Sequence, residues 1–345
     1  MTDFNLLLDQ LRTELRTPAL AAIVTDSRSI LAAGAIGVRQ ANRIESVELT
    51  DLFQIGSNAK AMTATVCAML VEQGILSWDL TPAAVFTELA RTILPEYHQI
   101  TLEMLLSHTS GIPPYTDTDE PDFILPDFDF LSITSHIQHF ANFLMTSCPI
   151  LGRPGEKVMY SNAGCSLAAA MAERVSGQMW SELIQDRLFH PFNFRGYVGY
   201  EHPARISPDQ PWGHILDEGG VFLPHSPKEN LIPACLVPAG DMCISMPEYA
   251  RFLQMQLDIL RDQLSSFAPL FNHGKPGVGA GWGVNYLRGM ESLGLFSLHA
   301  GSTGTFFAIA ALSHQHSLGF SIVVNGGLSE MSSALKMVIS SWVNS

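Results

Sequence analysis

Short apolar segments separated by turn residues lie at both ends of the chain and restrict the folds available to it. Near the start, residues 19–25 and 29–38 are rich in Ala, Ile, Val and Leu, and the turn between them predicts a β-hairpin. Near the end, further segments separated by Gly, Ser, His and Asn predict antiparallel strands: 281–287, 294–299, 305–312 and 318–324. The middle of the chain, about 50 to 250, has a mainly helical pattern.

Amphipathic helices are predicted beside both groups of strands. Residues 3–16 have apolar side chains at helical spacing, and residues 332–343 show the same pattern. We therefore expect an α+β fold, in which an antiparallel sheet is flanked by N- and C-terminal helices and carries an inserted, mainly helical domain. All 345 residues would form a single unit, with 1–50 and 251–345 in the sheet part and 51–250 in the helical part.

The chain is acidic, with 33 Asp and Glu against 19 Lys and Arg and a net charge of −14. This charge disfavours binding to nucleic acid phosphates and to anionic membranes. The sequence lacks an apolar run of about eighteen residues, and its first residues are acidic where a signal peptide has positive charge and an apolar core. We therefore predict a cytoplasmic protein that binds neither nucleic acid nor membrane.

The cysteines and histidines do not form a pattern typical of a disulfide framework or a metal site. The five cysteines are odd in number, scattered and mostly next to apolar residues, as buried reduced thiols are. His314 and His316 flank a glutamine in a predicted turn, and two ligands are fewer than a stable metal site needs. His108 is expected to bond loop backbone groups. The sequence thus predicts neither a metal nor another cofactor.

Ser57 and Lys60 have the spacing that places a hydroxyl and an amine on one face of a helix. A neighbouring lysine can remove the proton of a serine hydroxyl if burial or charge makes the amine a base. The helix N-terminus would also favour an oxyanion beside the nucleophile. The same spacing recurs at Ser333 and Lys336, in a predicted surface helix, so the spacing alone does not identify a site.

Two further segments contain side chains suited to acyl chemistry. In Tyr160-Ser161-Asn162, a tyrosine near a lysine could relay protons, and an asparagine offers a donor and an acceptor to a bound amide or ester. The segment from His299 to Phe306 lies between two predicted strands and contains several small residues. A strand edge there could supply a second oxyanion donor.

Taken in order, the three motifs resemble those of the serine β-lactamase and penicillin-binding protein superfamily. The likeness extends to segments 101–113, 154–164 and 238–252, and it covers about residues 15 to 330. These segments are similar to the branch that holds class C β-lactamases, D-stereospecific peptidases and β-lactamase-like esterases. The resemblance favours Ser57 as the nucleophile over Ser333, which lies outside the ordered set.

The resemblance implies a role for each residue near the nucleophile. Ser57 would be the acylated nucleophile and Lys60 its activator. Tyr160 would relay protons during acylation and deacylation. Asn162 would hold the amide or ester group of the substrate.

On the strand side, the resemblance implies that the backbone N–H groups of Ser57 and Ser302 form the oxyanion hole. His299 and Gly301 would line the cleft. Where β-lactamases usually place Lys and Thr to grip a carboxylate, this chain has His299 and Ala300. An uncharged ester, amide or activated acyl group is therefore expected rather than a carboxylate-bearing substrate.

The resulting hypothesis is a serine hydrolase that cleaves a small-molecule or peptide carboxylic ester or amide, D-amino-acid derivatives included, through an acyl-serine intermediate. Three alternatives stay open: an acyltransferase using the same acyl-enzyme, a β-lactamase or DD-peptidase, and a non-catalytic acyl-binding protein. Residues 115–131 alternate acidic and bulky apolar side chains. They are interpreted either as a loop pinned by aromatic residues or as a wall or lid over a substrate pocket.

Overall fold

The computed structural model describes residues 3–117, 124–126, 133–199, 207, 209–229, 232–328 and 331–343. The α-helices in these ranges are α1 (Phe4–Glu14), α2 (Ala59–Glu72), α3 (Pro82–Val85), α4 (Leu102–Leu106), α5 (Ile133–Ser147), α6 (Asn162–Ser176), α7 (Trp180–Ile184), α8 (His190–Phe192), α9 (Val237–Gly240), α10 (Met246–Asp262) and α11 (Ser332–Val343). The strands are β1 (Ala19–Thr25), β2 (Ile30–Gly37), β3 (Phe53–Gln54), β4 (Gly196–Val198), β5 (Gly213–Leu216), β6 (Phe222–His225), β7 (Met242–Ile244), β8 (Gly277–Val278), β9 (Gly283–Tyr286), β10 (Leu295–Ser302), β11 (Phe307–Ser313) and β12 (Leu318–Val324).

The main sheet joins the two ends of the chain. Its strand order is β2-β1-β12-β11-β10-β9-β8, and every neighbouring pair is antiparallel. The contact between the ends is the pairing of β1 with β12, in which Leu20 lies opposite Val324 and Thr25 opposite Gly319. The predicted α+β fold with an antiparallel sheet is therefore confirmed.

Strand β1 lies inside the sheet and is buried along its whole length. Its alternate residues Leu20 and Ala22 pack with α1 and α11, whereas Ala21 and Ile23 belong to the large core on the other face. Because both faces are covered, the strand has an apolar sequence without polar alternation.

The region between the chain ends is mainly helical, and α2 lies in its core, with most of its side chains buried. Two small sheets in this region, β3-β7-β4 and β5-β6, were not predicted. Their strands have two to four residues, too few for a periodic sequence pattern. We keep the division into 1–50 with 251–345 and 51–250 as a proposal.

None of the five cysteines, all of which lie in the described ranges, forms a disulfide. Four of them are buried, as the sequence indicated, and Cys148 is half-buried. Burial raises the pKa of the Cys67 thiol far above its ordinary value. Within the described ranges, none of the helices has both the length and the apolar character needed to cross a membrane.

Candidate active site

Ser57 lies in a short 3-10 turn, Gly56–Asn58, that joins β3 to α2. The sequence placed Ser57 at the N-terminus of the helix, and the structure places it in the 3-10 turn that leads into the helix, two residues before Ala59. Gly56 has a φ of 52°, in the left-handed region that favours glycine. This tight turn leaves Ser57 half-buried at the edge of a cleft.

Lys60 lies in the first turn of α2, and its side chain is only 1% exposed. Its Nζ is 3.0 Å from Ser57 Oγ and donates to the carbonyl oxygen of Ala239 at 2.6 Å. Ala239 belongs to α9, so the second contact ties the amine of Lys60 to a different helix from its own. In contrast, Ser333 is exposed on α11 and Lys336 is half-exposed.

Tyr160 contacts Lys60 through its ring, with Nζ 4.8 Å from the ring centroid. The side chain is 38% exposed, and its hydroxyl forms no hydrogen bond within the described residues. A cation over the face of an aromatic ring is attracted by the ring quadrupole. Tyr160 is therefore beside the Ser57–Lys60 pair, with its hydroxyl available to other groups.

His108 holds the segment around Tyr160 in three ways. Its carbonyl oxygen accepts from the N–H of Met159 at 2.6 Å, and its Nδ1 accepts from the N–H of Ser161 at 3.2 Å. Its ring lies on the Tyr160 ring with centroids 4.4 Å apart. The predicted bonding of loop backbone groups by His108 is confirmed, but its contact with Tyr160 was missed, because separation in sequence hides it.

The imidazole of His108 is neutral at physiological pH. Burial, with smaller effects from nearby Lys60 and His299, lowers the pKa of His108 from 6.5 to about 3. Because Nδ1 accepts a hydrogen bond, the neutral ring has its proton on Nε2. This buried Nε2 has no hydrogen-bond partner among the described residues.

Asn162 begins α6 and lies on the wall of the cleft that contains Ser57. Ser161 caps this helix by accepting from the N–H of Gly164 at 2.9 Å. The amide nitrogen of Asn162 donates to the carbonyl oxygen of Tyr115 at 2.8 Å. Its Oδ1 is buried and has no hydrogen-bond partner among the described residues.

Strand β10 brings a free edge to the turn that contains Ser57. Within the described residues, β9 pairs with β10 only as far as Leu298, so residues 299–302 have no strand on that side. A Cβ on Gly301 would come within 2.3 Å of the Ile55 carbonyl oxygen and 2.4 Å of the Ser57 nitrogen. Such close backbone packing is suited to two convergent N–H donors, those of Ser57 and Ser302.

His299 lies on the same edge and is half-buried. Its Nδ1 is 2.7 Å from the carbonyl oxygen of Gly281, and a carbonyl can only accept, so Nδ1 carries the proton. Burial and the nearby Lys60 lower the pKa of His299 from 6.5 to about 4. At neutral pH the ring is therefore uncharged, with its lone pair on Nε2.

Two separate cavities border this group of residues. A cleft of about 390 Å³ is lined by Ser57, Asn162 and Ser302 together with apolar residues such as Ile232 and Leu236. A pocket of about 210 Å³ is lined by Tyr160, His299 and others, with apolar walls. The structure thus brings together all seven residues that the sequence singled out.

The segment 115–131 is described only in part. Tyr115, Thr116 and Asp117 line the cleft, which fits the interpretation of this segment as a wall. Tyr115 is buried, and its hydroxyl donates to the carbonyl oxygen of Ile124 at 3.0 Å. The acidic and apolar residues in 118–123 and 127–131 lie outside the described residues.

No group of three or more His, Cys, Asp or Glu side chains with metal-binding geometry occurs in the part of the chain that the structure describes. His314 bonds Ser297 Oγ through Nε2 at 2.7 Å. Its role in this structure is therefore a contact with the neighbouring strand.

The chain is similar to known proteins over nearly its whole length. The Beta-lactamase family model matches residues 4–337. Penicillin-binding protein 4 of Amycolatopsis lactamdurans is 27% identical, over 93% of this chain and 84% of the relative. The chain spans 41% and 53% of the length of two further relatives from Bacillus subtilis.

Solved structures show the same fold. The octameric penicillin-binding protein homologue from Pyrococcus abyssi is 21% identical, with a TM-score of 0.80 over 99% of this chain and 78% of that one. A D-stereospecific amidohydrolase from Streptomyces sp. is 18% identical, with a TM-score of 0.74 over 99% of both chains. The chain belongs to the beta-lactamase family, whose fold is that of the penicillin-binding protein-like serine hydrolases.

Proposed function

We propose that this protein is a serine hydrolase that cleaves a carboxylic ester or amide through an acyl-enzyme on Ser57. The observation that carries the proposal is the 3.0 Å separation between Lys60 Nζ and Ser57 Oγ, with Lys60 buried and anchored on Ala239. A buried amine at this distance can take the hydroxyl proton as the oxygen attacks.

The reaction would begin when Ser57 Oγ attacks the acyl carbon and its proton passes to the amine form of Lys60. The N–H groups of Ser57 and Ser302 would stabilise the negative charge on the carbonyl oxygen. When the bond to the leaving group breaks, Tyr160 would hand its proton to the departing oxygen or nitrogen and take up the proton held by Lys60. Water would then attack the acyl-enzyme, and the Tyr160–Lys60 pair would take one proton from the water and return it to Ser57 Oγ as the acyl bond breaks, which releases the carboxylic acid and restores the Ser57 hydroxyl.

Asn162 would orient the acyl part of the substrate. Its free Oδ1 is a hydrogen-bond acceptor on the wall of the cleft, suited to an N–H of an acyl-amino group. The apolar residues Ile232 and Leu236 on the same wall suit an apolar acyl side chain. The cleft of about 390 Å³ is large enough for a small-molecule or short peptide substrate.

The test compares Ser57→Ala and Lys60→Ala with the matched controls Ser333→Ala and Lys336→Ala, which alter the second motif on α11. We expect both site variants to lose at least about 1000-fold in kcat with short p-nitrophenyl esters, because nucleophile and base act as a unit. The two controls should keep wild-type activity. Undiminished turnover by Ser57→Ala would refute the proposal.

A further inference from the structure

The pocket of about 210 Å³ is lined by Tyr160 and His299. It is separate from the cleft that contains Ser57 and Asn162. If the proposed function is correct, the group next to Tyr160 during bond breaking is the leaving group, because Tyr160 supplies its proton. The acyl part then occupies the cleft that Asn162 lines. The pocket beside Tyr160 is therefore the place of the leaving group, and this assignment rests on the proposed function.

The polar group that this pocket offers on the β10 side is His299. Its Nδ1–H donates to the Gly281 carbonyl oxygen at 2.7 Å, which leaves Nε2 as a hydrogen-bond acceptor. An acceptor attracts an N–H or O–H group and repels the oxygen atoms of a carboxylate. The lowered pKa of His299, about 4, keeps the ring in this acceptor form at neutral pH.

The other walls supply no positive charge. Val278, Trp282 and Leu298 are apolar. The ring of His108 is neutral because burial lowers its pKa to about 3, and its Nε2–H is buried away from the open pocket. Neither Lys nor Arg lines this pocket among the residues that the structure describes. The amine of Lys60 is turned to Ser57 and Ala239, beneath the Tyr160 ring.

From these walls we propose that the pocket receives an uncharged leaving group carrying an N–H or O–H donor for His299 Nε2, and that it rejects a leaving group bearing a carboxylate. A carboxylate placed there would lose its hydration and face a lone pair in an apolar pocket. Leaving a desolvated polar group unmatched costs about 1–3 kcal/mol, which corresponds to about 5- to 150-fold in kcat/KM.

The test uses two phenylacetyl esters that share the acyl group and differ only at the end of the leaving group: the ester of glycolamide and the ester of glycolate. The rates of both are divided by their rates of alkaline hydrolysis, which removes the difference in intrinsic reactivity. For the wild-type protein at neutral pH, we expect kcat/KM to favour the glycolamide ester by at least about fivefold.

His299→Lys provides the reciprocal test, because it places a cation where the acceptor was. This variant should improve the glycolate ester relative to the glycolamide ester by at least about tenfold. Circular dichroism verifies the fold of the variant. If the variant does not fold, the wild-type comparison of the two esters alone tests the proposal.

The outcomes separate this inference from the proposed function. Equal cleavage of both esters, or a preference for glycolate, with activity lost in Ser57→Ala would overturn the inference and leave the function intact. Failure of the wild-type protein to cleave either ester through Ser57 would overturn both. A preference for glycolamide that shifts toward glycolate by at least about tenfold in His299→Lys would support the assignment of the pocket.

Discussion

His108 positions Tyr160 through contacts with the residues on either side of it. The carbonyl oxygen of His108 accepts from Met159, and its ring accepts from Ser161, so two hydrogen bonds flank Tyr160. The backbone of His108 has a φ of 60°, in the left-handed region that few residues with a side chain adopt. Surrounding contacts must hold this conformation, which couples the loop to the segment that contains Tyr160.

The substitution His108→Asn should change how stability depends on pH. In the unfolded chain, histidine takes up a proton as the pH falls below about 6.5, whereas folded His108 stays neutral to about 3. The wild-type protein therefore loses free energy of unfolding on acidification, by up to about 1.4 kcal/mol per pH unit from this group. Asparagine tolerates the left-handed backbone and does not titrate, so the variant lacks this loss.

Urea unfolding of both proteins from neutral pH down to about pH 5 measures this effect. The stability advantage of the wild-type protein over His108→Asn should shrink steadily below about pH 6.5 and stay constant above it. Glu173 has the opposite tendency, since burial raises its pKa to about 7, but it is present in both proteins and cancels. Parallel stability curves would contradict the buried, neutral state of His108.

Sequence spacing was sufficient to bring Ser57 and Lys60 together, since one helical turn connects them. It was not sufficient for Ala239, whose carbonyl oxygen anchors Lys60, because this contact spans 179 residues. Every residue type has a backbone carbonyl, so the identity of Ala239 in the sequence does not indicate that it contacts Lys60. His108 was noticed in the sequence, yet its contact with Tyr160 depends on the path of two separate loops.

At the scale of elements, the site depends on the close approach of strand β10 to the turn before α2. Gly301 lies opposite Ala308 in the pairing of β10 with β11, and its other edge meets the turn. The strand was predicted to end at residue 299 but extends to Ser302, which places Gly301 and Ser302 inside it. Pairing with β11 extends β10 to Ser302. The small residues at the end of β10 have no strand pattern, so the sequence did not predict this extension.

Gly301→Ala should abolish most of the activity. Its Cβ would lie 2.3 Å from the Ile55 carbonyl oxygen and 2.4 Å from the Ser57 nitrogen, so the strand and the turn must separate. Loss of one oxyanion donor typically lowers kcat by about 100- to 1000-fold. The measurement is kcat with p-nitrophenyl esters, together with a thermal melt to verify folding.

Gly152→Ala is the matched control, because its Cβ would meet nothing closer than Met159 Cε at 3.6 Å. It should keep nearly full activity. A Gly301→Ala variant with wild-type kcat would show that the two N–H groups do not need this close packing.

At the scale of the whole molecule, the sheet was predictable because its strands are buried and apolar. The predicted strand 318–324 and helix 332–343 match β12 and α11, and the first hairpin matches β1 and β2 within one residue at each end. The order of the strands in the sheet could not be predicted from the sequence pattern in the same way. The pairing of β1 with β12 joins residues about three hundred positions apart, and only tertiary packing selects it.

The arrangement of the molecule explains why residues from distant parts of the chain form one site. The turn before α2, the start of α6 and the end of β10 converge, while α9 closes the group behind Lys60. Under the proposed function, each element would contribute one or two of the side chains or N–H groups that acyl transfer to serine requires. The central claim is therefore that acylation occurs on Ser57 and on no other residue.

Mass spectrometry of the intact protein, followed by peptide mapping, tests this claim most directly. The protein is mixed with a panel of activated esters, D-amino-acid amides and β-lactams and quenched in acid. We predict an adduct with the mass of one acyl group, mapped to the peptide that contains Ser57, present in Ser333→Ala and absent from Ser57→Ala. An adduct on another residue, or turnover that persists in Ser57→Ala, would contradict the account.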